Sequence, residues 1–178
     1  MARLLGAARI FASHYQFVLC EDPGRPLSDE ENWTDALVQR GYAGAPDWRM
    51  IGTEADLNDH WIELALADAA PDPSNWHRII CCDFETRSGA VNLMGVLADE
   101  AEISAQIAPG TYAAHICVRN PGVDQQTTGE LDAGAEMLTD TELAAREDLE
   151  RYRVVLVPGA PKRTGVVFDR ESGQASAG

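Results

Sequence analysis

The chain has 178 residues, 45% apolar and 24% charged, a balance that supports one buried core and excludes a wholly disordered polypeptide. Its 29 Asp and Glu against 14 Lys and Arg leave a formal charge of −15. A surface of that sign repels DNA, RNA and anionic membranes and attracts cationic partners or metal ions, although acidity also serves solubility alone.

The opening run MARLLGAARIFA is broken by Gly6 and Arg9 and leads directly into strand pattern, unlike a secretion signal. No stretch approaches the ~18 apolar residues that a membrane span requires. The expected location is cytoplasmic, with no membrane insertion. Residues 9–20, RIFASHYQFVLC, alternate with apolar side chains on both faces, which predicts one internal strand. Next comes WTDALVQRGYA, a short helix of two or three turns, with Trp33 and Leu37 at helical spacing, Thr34 or Asn32 as cap and Gly41 as stop.

The runs WRMIGTEA, HWIELALAD, HRIICCDFET and AVNLMGVL read as short strands separated by the turn clusters AAPDPSN and RSG. In EISAQIAPGTYAAHICVRNPG, Ile103, Ala105 and Ile107 alternate, and Tyr112, Ala114, Ile116 and Val118 resume the alternation after Pro109-Gly110. This predicts a hairpin. The polar, acidic stretch at about 122–149 holds one helix, from Thr139 to Leu149. RYRVVLVPG is then a strand and RTGVVFDR its short partner. The expected fold class is all-β, an antiparallel β-sandwich with one or two short helices. Residues 1–170 form a single domain with an acidic insertion at about 122–149, and 171–178 form a flexible tail.

The chemistry-bearing motifs are sparse. There is no GxSxG, no phosphate-binding glycine loop, no HExxH and no Walker-type lysine, so no enzyme and no cofactor are called for. Cys20, Cys81, Cys82 and Cys117 sit in apolar runs without a CxxC pair, a poor zinc or disulfide framework, and are expected as buried thiols. A mixed metal site from His14, His77, His115 and Cys81 would need three strands to converge. Strand histidines are more often ordinary partly buried residues. Glu54, Asp56, Asn58 and Asp59 offer oxygens at near-alternate positions, as calcium loops do, but without the loop glycine and terminal Glu of an EF-hand. A calcium- or ligand-binding β-sandwich module is therefore the alternative reading.

What remains is acidity around one aromatic. Glu21, Asp22, Asp29, Glu30, Glu31 and Asp35 surround Trp33 within one loop-to-helix segment. The plain account is a solvated face beside a core tryptophan. The functional one is a partner-binding face in which carboxylates speed association, while Trp33 either anchors the partner or fastens the helix to the body.

The stretches Ser13 to Phe17 (SHYQF), Trp33 to Asp35 (WTD), Gly41 to Ala43 (GYA) and Ala108 to Tyr112 (APGTY), followed by the strand RYRVVLV, together resemble the competence protein J family in order and spacing. The resemblance covers about residues 9–121 and then 151–157. Its type member is a small inhibitor of a DNA-uptake nuclease, so the resemblance implies a non-enzymatic inhibitor of a basic nuclease. The charge agrees, because a nuclease groove must carry Lys and Arg to hold phosphates, and carboxylates can occupy it without a scissile bond.

Overall fold

The computed structural model describes residues 1–26, 33–124 and 137–171, together with the backbone of 174 and 175. Asp29, Glu30 and Glu31, the middle of the acidic insertion, and most of the tail lie outside the described residues.

Two sheets carry the fold. The first has the order β1 (Arg3–Ala12), β5 (Asn58–Leu66), β10 (Arg151–Pro158), β9 (Gly110–Arg119), β6 (Arg78–Thr86), β11 (Gly165–Asp169) and β12 (Gln174–Ala175). The second runs β3 (Tyr42–Ala45), β4 (Trp48–Gly52), β2 (Gln16–Cys20), β7 (Ala90–Gly95) and β8 (Ile103–Gln106). The described helices are short: α1 (Asp35–Arg40) and α2 (Asp140–Ala145), with a 3-10 turn at Pro73–Asn75. Among the described residues no helix is long and apolar enough to cross a membrane.

One apolar cluster draws on both sheets. Ile10, Ile62, Leu64, Phe84, Ile116, Tyr152 and Leu156 come from the first, and Phe17, Leu19, Ile51, Leu93 and Ile103 from the second. Each of these large side chains contributes roughly 1.5–3 kcal/mol by leaving water. Within it the rings of Phe17 and Tyr152 meet edge to face at 5.4 Å. Strand β2 is buried along its whole length. Phe17 and Leu19 enter the shared core, whereas Val18 and Cys20 turn to a second cluster with Trp48, Met50 and Met94, which Trp33 and Leu37 cover.

Four sequence expectations change. RTGVVFDR is not the partner of RYRVVLVPG: β11 pairs with β6, and β9 and β6 lie between it and β10, because neighbours in the chain need not be neighbours in a sheet. The run 9–20 is two strands, because His14 and Tyr15 take left-handed backbone angles (φ 58° and 56°) and pass the chain from the first sheet to the second. Alternation continues across the break, so periodicity conceals it. The predicted hairpin is likewise a crossing: β8 pairs with β7 and β9 with β6 and β10, although Ile103, Ile107, Tyr112, Ala114, Ile116 and Val118 all face the core as their alternation requires. Finally, the pairing is not antiparallel throughout. Strands β5 and β10 run parallel, Tyr152 beside Ile62 and Leu156 beside Leu66. Side-chain period is two in either orientation, so the pattern is blind to this difference.

The helix caps fall where expected, but the helices are shorter, six residues each, and α2 ends at Ala145 instead of reaching Leu149. Thr34 Oγ1 accepts from Leu37 N to cap α1, and Gly41 (φ 86°) closes it, donating to the carbonyls of Leu37 and Val38. Thr139 and Glu142 form a reciprocal capping box on α2. All four cysteines are buried and free; desolvation pushes the thiols of Cys20, Cys82 and Cys117 up to about 12 and that of Cys81 to about 11.

Candidate functional site

The segment that carries α1 is held where the two sheets come together. Trp33 lies half-buried on the second cluster, and its indole Nε1 donates to Gln16 Oε1 at 2.6 Å. Gly52 N, at the end of β4, donates to Gly41 O at 3.0 Å and ties the second sheet to the end of the helix. A side chain at Gly41 would meet Ile80 Cδ1 at 2.7 Å, so the helix end also sits directly on β6 of the first sheet.

These contacts leave a cleft of about 760 Å³ bordered by α1, the β1–β2 crossing, the turn after β4 and β11. Trp33, Ile80, Val38 and Val166 supply apolar wall. At the polar end Arg78 pairs with Glu54 and, at 3.1 Å, with Asp169. Desolvation works against the Arg78 charge, but the two carboxylates outweigh it and hold its pKa above the usual guanidinium value.

The β1–β2 crossing forms the third side. His14 and Tyr15, consecutive non-glycine residues at positive φ, are an uncommon pair. Tyr15 N donates to Asp56 Oδ1 at 3.0 Å, Thr53 N donates to Tyr15 O at 2.7 Å, and Ser13 Oγ lies 2.7 Å from His14 Nδ1. The surroundings thus over-determine the strained turn.

Behind this wall is a buried polar clasp. Glu150 accepts from the backbone N–H groups of Glu54 and Gly122 at 3.0 and 2.7 Å, and from the hydroxyl of Tyr152. Asp124 accepts from Glu150 N and from Asn58 Nδ2. His60, fully buried, donates through Nδ1 to the Glu150 carbonyl at 3.1 Å. Burial keeps the Tyr152 phenol protonated, and burial also raises the Asp124 carboxyl. The clasp fixes residues 54 and 55, and with them the Glu54 side of the cleft.

The acidic residues singled out from the sequence take different positions. Glu21 Oε1 accepts from Arg87 N, Ser88 N, Ser88 Oγ and Thr86 Oγ1, and so holds the β6–β7 turn. Asp22 Oδ1 accepts from Gly24 N within its own turn and stays exposed. Asp35 is exposed in the first turn of α1. Trp33 does fasten its segment to the body, and it also borders the cleft.

Among the described residues no three His, Cys, Asp or Glu side chains are grouped to hold a metal ion. His14 is in the crossing turn, not in a strand, and His77 Nδ1 accepts from Asn120 N. The carboxylates of the candidate calcium stretch are engaged by protein, Glu54 with Arg78, Asp56 with Tyr15 N and Leu57 N, and Asp59 with Arg9, while Asn58 donates its Nδ2 to Asp124. The cleft residues Tyr15, Val38, Glu54, Arg78, Val166 and Asp169 were not legible as one site, because they come from five separated stretches with no shared motif.

The fold is similar to that in the crystal structure of ComJ, inhibitor of the DNA degrading activity of NucA, from Bacillus subtilis, with a TM-score of 0.63 and 15% identity over 89% of this chain and 99% of that one. It is also similar to the protein of Crocagin biosynthetic gene J, with a TM-score of 0.52 and 13% identity over 92% of this chain and 99% of the other. No curated protein matches the chain in sequence. The Competence protein J (ComJ) family model matches residues 9–143, and the chain belongs to that family.

Proposed function

We propose that this protein is a cytoplasmic, non-enzymatic inhibitor that binds a basic, DNA-degrading nuclease. The observation that carries this reading is the family match, together with a fold shared with ComJ, an inhibitor of NucA. The −15 charge supports it physically, since a nuclease surface built for phosphates is complementary to carboxylates. The core common to both sheets supports reading the scaffold as a β-sandwich, a rigid body on which loops and α1 present the binding face. That face includes Asp22, Asp29, Glu30, Glu31, Trp33 and Asp35, while the carboxylate of Glu21 is committed to the β6–β7 turn.

The test is DNA cleavage by the cognate NucA-type nuclease with increasing amounts of this protein, at low and at high salt. Stoichiometric inhibition that fades with salt is the expected result. Unchanged cleavage at low salt, where electrostatic association is strongest, refutes the reading.

A further inference from the structure

We propose that the cleft between α1, the β1–β2 crossing and β11 is the seat for an arginine carried on a basic loop of the nuclease. The assignment rests on the inhibitor reading above and specifies where the contact is made. Shape is the first ground. A concavity of about 760 Å³ is ample for an inserted side chain and its neighbours. Apolar groups stand at its mouth, with Val38 63% and Val166 38% exposed, beside the partly exposed ring of Tyr15. Such groups gathered at a concavity mark a contact site.

Charge is the second ground, and it selects the occupant. Glu54 and Asp169 both pair with the Arg78 guanidinium at the polar end, and the molecule around them carries −15, so the cleft opens into a negative field. The Glu54 side chain is 46% exposed, and a carboxylate accepts several hydrogen bonds at once. An arginine entering past Val38 lays its methylene stem on the apolar wall and brings its planar fork to Glu54. A phosphate or carboxylate ligand meets the wrong sign. The apolar wall serves the stem of an arginine better than a compact hydrated ammonium alone.

Rigidity is the third ground. His14 and Tyr15 border the cleft in left-handed conformations fixed by Asp56 and Thr53. A wall already locked in place loses little conformational freedom when a partner arrives, which favours tight association. The seat is therefore preformed.

The experiment measures the affinity of the cognate NucA-type nuclease for the wild-type protein and three variants, with a melting temperature for each. Val38→Arg fills the mouth with a like charge and is expected to weaken binding at least about tenfold, the effect of losing a central contact. Glu54→Gln, close to isosteric, is expected to weaken it several-fold, more at low salt than at high. Leu4→Arg is the control, since it adds the same charge at a residue 58% exposed on β1, with β5, β10, β9 and β6 between it and β11. It is expected to leave affinity close to wild type. Wild-type binding that survives both cleft variants, or falls equally in the control, overturns the cleft assignment and leaves the inhibitor reading standing. A wild-type protein that does not bind overturns both. Should Val38→Arg lower the melting temperature, Glu54→Gln decides the question alone.

Discussion

Glu21 shows how a residue that looks like surface charge can be structural. Its carboxylate accepts from Ser88 backbone and hydroxyl, from Arg87 N and from Thr86 Oγ1, and the Ser88 bonds foremost hold its pKa below the usual carboxylate value. A carboxylate depressed on folding contributes stability above its unfolded pKa of about 4.3 and loses it as pH falls through the folded value. Glu21→Gln is therefore expected to lower the melting temperature near neutral pH, with a deficit that shrinks at acidic pH as the wild-type carboxyl takes up its proton. An equal deficit at both pH values would contradict the assignment. Glu150 is the more deeply committed residue, 1% exposed and bonded to three separate stretches. Glu150→Ala strands backbone donors at Glu54 and Gly122 and the Tyr152 hydroxyl, and should cost about 3 kcal/mol or more in denaturant unfolding.

At the scale of elements, α1 is too short to stand alone and depends on its ends. Thr34→Ala removes the side-chain acceptor for Leu37 N and should cost about 1 kcal/mol. Gly41→Ala is expected to cost more. It places a β-carbon at φ 86° and within 2.7 Å of Ile80 Cδ1, so both the helix end and its seat on β6 must shift. Urea melts of the two variants rank them, and a Gly41→Ala protein as stable as wild type would show that the helix end is not held against the first sheet. The two crossings, at 13–15 and at 107–109, have the same consequence: each sends consecutive strands into different sheets, so one continuous pattern in the chain fills a core between two surfaces.

For the whole molecule the dominant quantity is the charge of −15. Self-repulsion destabilises a compact state of that charge and salt relieves it, whereas attraction to a basic partner weakens with the same salt. Raising NaCl from about 0.1 M to about 1 M shortens the screening length from about 10 Å to about 3 Å. It is expected to raise the melting temperature of the isolated protein while slowing its association with the proposed nuclease partner. Reversing Asp29, Glu30 and Glu31 to Lys tests steering directly: association should slow while dissociation and thermal stability barely change. Stopped-flow association rates for the triple variant check this, and an unchanged rate would remove this segment from the encounter surface.

The sequence by itself determined the class of the protein and much of its local structure. Alternation marked most strands and their core-facing residues, though not β3, whose start was read with the helix; Thr34 and Gly41 marked the ends of α1, and SHYQF, WTD and GYA carried the family resemblance that residues 9–143 now show. These features are legible because burial period, capping chemistry and glycine conformation are local properties of the chain. Only the tertiary structure decided which strands pair, that β5 and β10 are parallel, that the SHYQF stretch is a strained crossing, and that Tyr15, Val38, Glu54, Arg78 and Asp169 border one cleft. Pairing and convergence depend on contacts between residues far apart in the chain, and a period of two reads the same in either strand direction and on either side of a turn.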